Sequence, residues 1–100
     1  ATRPRYEAAR REILLQAIDQ QCLRALFDVR GSLGDVEIIQ AVRLERPEWL
    51  PEEVHASLLK LRQHGLVERD ELARHRVAKG GRDLRGIVPH RATSNIVYYG

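Results

Sequence analysis

Apolar residues recur at three- and four-residue spacing through the first two thirds of the chain, with Gly and Pro falling between the repeats. From Tyr6 to Val29 neither Gly nor Pro intervenes. Ile13, Ala17, Cys22, Ala25, Leu26 and Val29 form one helical stripe, widened by Leu14 and Ile18. The spacing predicts either one long helix or an arm helix, Tyr6 to Ile18, running into a core helix over Asp19 to Val29. Such an arm needs a covering surface, from its own domain or a second copy, because a lone three-turn amphipathic helix is marginal in water. Arg30-Gly31-Ser32-Leu33-Gly34 ends the run. Gly31 suits the left-handed position after a helix, and Asp35 or Ser32 can cap the next one. A second helix is expected over 35–45, with Val36, Ile39, Ala41 and Val42 inward and Ile38 on the flank. Pro47 disfavours helix at Arg46, while Pro51 suits a first helical turn. The third helix, Pro51 to His64, then turns Val54, Leu58 and Leu61 inward, with Ala56 and Leu59 flanking and Gly65 as its C-cap. Glu52 and Glu53 fall at its positive dipole end.

Beyond Gly65 the pattern changes period. Leu66-Val67 opens an extended segment, and Arg74 to Ala78 reads as a strand after a bend near Glu71. Lys79-Gly80-Gly81-Arg82 is either a flexible tip or the start of a short helix at Arg82 to Gly86. Ile96-Val97-Tyr98-Tyr99 has strong β propensity. The expected organisation is an N-terminal amphipathic helical arm over 1–18, a folded domain over 19–88, and a tail over 89–100 with an edge strand. The class is mainly α with a small β-hairpin.

A helix opening at Asp35, a turn through Glu48-Trp49-Leu50 and the run VHASLLKLRQHGLVER together resemble the winged helix-turn-helix superfamily over residues 19–78. More loosely, the chain resembles small winged-helix proteins of Mu-like phages and prophages. The resemblance implies a winged helix-turn-helix with an extra N-terminal helix. It also implies that the third helix enters the major groove of duplex DNA. Carried over by position, His55, Ser57, Lys60, Arg62 and Gln63 would then face bases, while Arg74, Arg76, Lys79, Arg82 and Arg85 of the wing would meet phosphates. Glu52 and Glu53 depart from the usual Ser, Thr, Arg or Gln. Two carboxylates are repelled by a phosphate-lined groove, although Glu can accept from cytosine N4.

Charge sharpens this picture. The net +3 divides into +2 over residues 1–30, −4 over 31–71 and +5 over 72–100. That asymmetry points to a polyanion meeting the C-terminal third. One hundred residues suffice for one modest core. A single cysteine, Cys22, fits a reducing, cytoplasmic setting and reads as a small core residue or a reactive thiol. No apolar run reaches membrane-spanning length, and the arginine-rich start lacks the apolar core of a secretory signal. The four histidines have no metal-ligand spacing, and Ser32, Ser57 and Ser94 lack a base; no metal, cofactor or enzymatic activity is expected. Lys79-Gly80-Gly81-Arg82 lacks the frame of a phosphate loop. Trp49 either packs its turn on the core or anchors a partner. Tyr98 and Tyr99 belong either to an edge strand of the wing sheet or to a strand exchanged with a second copy. The favoured expectation is a non-catalytic DNA-binding regulator or accessory factor, dimeric through residues 6–29. The alternative is a protein-interaction module, an adaptor or inhibitor, that docks a basic partner at Trp49, Glu52 and Glu53.

Overall fold

The structure, a computed structural model, describes residues 12–29, 31–86, 88 and 96–99. In chain order the elements are β1 (Glu12–Leu15), α1 (Ala17–Phe27), α2 (Asp35–Glu45), α3 (Pro51–Gln63), β2 (Val67–Arg69), β3 (His75–Val77), α4 (Lys79–Arg82), a 3-10 turn (Asp83–Gly86) and β4 (Ile96–Tyr99). The described residues are mainly helical, with a small antiparallel hairpin, β2–β3, and a second two-stranded pairing, β1–β4. Among them no helix is long and apolar enough to cross a membrane.

The three long helices start by one device. Each has a carboxylate at its third position that accepts the N–H of the residue before the helix. Asp19 takes Gln16 N–H at 2.9 Å, Glu37 takes Gly34 N–H at 2.9 Å, and Glu53 takes Leu50 N–H at 2.8 Å. This is half of a capping box, and the negative charge also meets the positive helix end. Gly34 therefore precedes α2 as its N-cap, where Asp35 or Ser32 was expected. Gly65 closes α3 at a φ of 74°, with Leu66 N–H on the Leu61 carbonyl and Gly65 N–H on the Arg62 carbonyl. That crossed pair is the Schellman ending, and it aims the chain into β2.

α1 packs on α2, α3 and β3. Leu23 and Leu26 of α1, Ile38 and Val42 of α2, and Val54, Leu58 and Leu61 of α3 are buried together. Leu15, Leu66, Val67, Leu84 and Val88 close the ends of this core. Each such aliphatic contributes roughly 1.5–3 kcal/mol by leaving water. The inward side of α2 is rotated from the expected one: Ile38 is at the centre and Val36 is 65% exposed. Ile38 and Val42 are one helical turn apart, which puts Val36 some 200° away from Ile38 at 100° per residue.

Three further expectations are corrected. The arm over 1–18 is not helical at Glu12–Leu15, which pairs antiparallel with Ile96–Tyr99, Leu15 opposite Ile96 and Glu12 opposite Tyr99. The helix begins only at Ala17. A short run of Ile and Leu fits either period, and the β-rich partner decides between them. Residues 1–11 lie outside the described residues. The C-terminal strand accordingly pairs with β1 and not with the wing sheet; the Tyr98 and Tyr99 side chains also lie outside the description. Lys79–Arg82 is a helical turn continued by the 3-10 turn, not a flexible tip. Its place is set by Gly81: a Cβ there would strike the Leu66 carbonyl, whose carbon would lie 3.1 Å away.

Candidate functional site

The outer face of α3 carries Glu52, Glu53, His55, Ala56, Leu59 and Gln63, all exposed. Of the base-facing residues expected on it, only His55 and Gln63 are exposed; Arg62 is half-buried. Ser57 and Lys60 are corrected. Ser57 is 4% exposed and donates to Asp19 Oδ1 at 2.6 Å. Lys60 Nζ donates to Asp19 Oδ2 at 2.6 Å and to the Leu14 carbonyl at 2.8 Å. These bonds weld α3 to α1 and to β1, so neither side chain is available to a groove. Asp19, which organises them, escaped the reading of the sequence. Ser57 was legible in hindsight, because it stands three residues after Val54 and four before Leu61, inside the buried stripe. Cys22 lies beside this cluster, and burial pushes its thiol pKa up to about 12. A thiol so protonated is inert, so the core reading of Cys22 stands.

The hairpin is short. Its turn runs from Asp70 to Arg74, with Ala73 at a φ of 60°. Asp70 Oδ1 accepts the N–H groups of Leu72 (2.9 Å) and Arg74 (3.0 Å), and its other oxygen accepts the Ser32 hydroxyl (2.7 Å). Those bonds, the Ser32 hydroxyl foremost, hold the Asp70 carboxyl below its usual range. Arg74 donates to the Ser32 carbonyl at 2.9 Å and to Glu37 Oε1 at 3.0 Å. On β3, His75 is buried, its backbone paired both ways with Leu33 and its Nε2 hydrogen-bonded to Asp35 Oδ1. The bond from His75 is the main reason the Asp35 carboxyl is also lowered, with smaller contributions from the charges of His55 and Arg69. The first turn of α2 and the hairpin therefore adjoin, and His55 of α3 lies near enough to Asp35 to act on it.

Exposed acids and apolar residues occur on each of these elements: Glu52, Glu53 and Leu59 (41% exposed) on α3, Val36 (65%) on α2, and Glu71 and Leu72 (75%) at the hairpin turn, with exposed Arg69 near Asp35. Arg74, expected on phosphates, is instead tied to Glu37. Trp49 is half-buried against the core with the Arg46 guanidinium 5.1 Å from its ring centroid, which favours packing over anchoring.

The remaining expected cations group elsewhere. Arg76, Arg82 and Arg85 are exposed and line one concavity of about 410 Å³ beside the C-terminal end of α1, over buried Leu26 and Phe27. Arg76 Nε donates to Glu68 at 2.6 Å across the hairpin. Arg85 donates to the Phe27 carbonyl at 3.0 Å and lies 5.5 Å from its ring centroid. Lys79 is exposed on the same helical turn as Arg82. Among the described residues no group of three His, Cys, Asp or Glu is placed to hold a metal ion. The chain matches no family model, no curated protein and no solved structure on comparison with each.

Proposed function

We propose that the chain is a non-catalytic docking module on a winged-helix scaffold, whose α2–α3–hairpin face receives a basic, apolar segment of a partner protein. Support for the scaffold comes from the order of elements: α1, a bridging residue Leu33, α2, α3, β2 and β3, with Leu33 paired to His75 of β3. The observation that carries the occupant is the outer face of α3. Where a groove-reading helix needs several cations or amides, it offers His55 and Gln63 beside Glu52, Glu53, Ala56 and Leu59, while Ser57 and Lys60 are spent inside. Carboxylates facing a phosphate-lined groove are repelled; facing lysines they attract, and exposed leucines add apolar contact.

The test is a titration with an amphipathic Lys/Leu peptide, read by amide shifts. The expected result is perturbation at His55, Ala56, Leu59 and Leu72, weakened severalfold in the variant Glu52→Gln, Glu71→Gln. Shifts of these amides by duplex DNA at physiological ionic strength, and not by the peptide, overturn the reading.

Duplex DNA is the second reading, favoured by one observation: Lys79 and Arg82 are exposed and make no ion pair with another described residue. Contact there is with phosphates, so it carries little sequence preference and falls steeply with salt. A gel-shift series at rising salt measures it. Retention that is unchanged in the Lys79→Ala, Arg82→Ala variant removes this reading.

A further inference from the structure

We infer that the concavity at the end of α1 binds a compact organic anion, one with a carboxylate, sulfonate or phosphate head on an apolar body. Three arginines, Arg76, Arg82 and Arg85, stand exposed around it, and buried Leu26 and Phe27 with half-buried Val77 supply its floor. Among the described residues no carboxylate lines it, whereas three other cavities each include at least one: Asp28 with Glu37 and Glu45, Glu68, and Asp70 with Glu71. The volume of about 410 Å³ falls within the range of small-molecule sites.

Two of the three guanidinium groups are already held. Arg85 spends one donor on the Phe27 carbonyl, where it also neutralises the negative end of α1, and its guanidinium carbon lies 5.5 Å from the Phe27 ring centroid. Arg76 spends Nε on Glu68. A guanidinium has five N–H donors, so each keeps most of its fork, and little side-chain entropy remains to be lost on binding. Arg82 makes no hydrogen bond or ion pair with another described residue. A head group meeting these forks leaves its body against Leu26, Phe27 and Val77, which explains why cations and buried apolar residues occur in one hollow. The inference does not depend on either functional reading above, although Arg82 is shared with the second and the hairpin supplies Arg76 and Val77 to the lining.

The experiment uses 2-naphthalenesulfonate, with neutral 2-naphthol, inorganic phosphate and a short DNA duplex as separate arms, followed by amide and methyl shifts on the whole chain. The expected result is saturable shifts at Leu26, Phe27, Val29 and Val77 with the sulfonate. Arg82→Gln should weaken it about tenfold, the effect of one charge-assisted hydrogen bond. Arg82→Lys should restore only part. Arg82 is exposed, so its variants fold; unchanged circular dichroism checks this. The inference is overturned by any of four results: no saturable sulfonate binding, equal binding of 2-naphthol, equal binding of bare phosphate, or equal binding by Arg82→Gln. A duplex that shifts these residues while the sulfonate does not is a fifth, and assigns the arginines to nucleic acid.

Discussion

Asp19 is the residue on which two helices and a strand converge, and its partners are unequal. The carboxylate is 2% exposed, while the Lys60 side chain is 33% exposed. Removing Lys60 therefore strands a buried charge with only Ser57 and the Gln16 N–H for company; removing the charge of Asp19 frees a lysine that can turn to water. Lys60→Met is expected to cost about 3 kcal/mol and Asp19→Asn about 1–2 kcal/mol. Urea denaturation checks the pair, and the opposite ranking would show that the carboxylate is solvated. Two backbone positions make complementary cases. Gly81→Ala forces a methyl onto the Leu66 carbonyl and should cost about 1–3 kcal/mol, because that neighbour is backbone and cannot swing away. Ala73 occupies a left-handed position after a tight turn, normally a glycine place, so Ala73→Gly should gain about 0.5–1 kcal/mol in the same measurement. The inward aliphatics of α3 were legible from spacing alone. The polar neighbours were not: whether a serine or lysine at the border of a stripe faces water depends on the helix packed beside it, here through Asp19.

At the level of elements, the hairpin is held to the start of α2 by acids. Asp70 takes the Ser32 hydroxyl, Asp35 takes His75, and Glu37 takes Arg74. The folded state lowers the pKa of both aspartates, so the unfolded chain binds protons more readily than the folded one. Their contribution is complete above the unfolded aspartate value of about 3.9 and is lost as pH falls through the lower folded values. The groups facing them are His75, His55 and Arg69 around Asp35, and Ser32, Arg74, Leu72 N–H and Arg76 around Asp70. Acidification below about pH 4 should thus expose the Leu33 and His75 amides to hydrogen exchange before those of Leu58 and Leu61. Asp70→Asn should flatten that response. Simultaneous loss of all four amides at one pH would mean that these acids hold the whole fold and not the hairpin. Helix ends were readable because Gly31, Pro51 and Gly65 mark backbone states that few residues adopt. β1 was not, since four residues cannot display a period and its partner is eighty residues away. The hairpin turn lies at Asp70–Arg74, at the bend expected near Glu71, and side-chain bonds there replace glycine.

Across the whole molecule, the uneven charge seen along the chain is only partly separated in space. The acidic middle third supplies Glu52, Glu53 and Glu71, the basic last third supplies Arg82 and Arg85 beside α1, and Arg76 on the hairpin adjoins both the hollow and Glu68. The sequence shows the amounts but not the sides, because side follows from how α4 lies over the Leu66 carbonyl and where Arg85 meets the end of α1. Residues with no shared partner and well apart contribute additively, within about 0.5 kcal/mol. Glu52 and Arg82 have no common neighbour in any hydrogen bond or ion pair described above. Glu52→Gln with Glu71→Gln should therefore weaken the cationic peptide severalfold and leave 2-naphthalenesulfonate binding as it was, while Arg82→Gln should do the reverse. Combining all three changes should give the two losses unaltered, as isothermal titration can measure. A loss of sulfonate binding on changing Glu52 and Glu71 alone would show one continuous surface in place of two, and a single ligand large enough to span both would then be the better description.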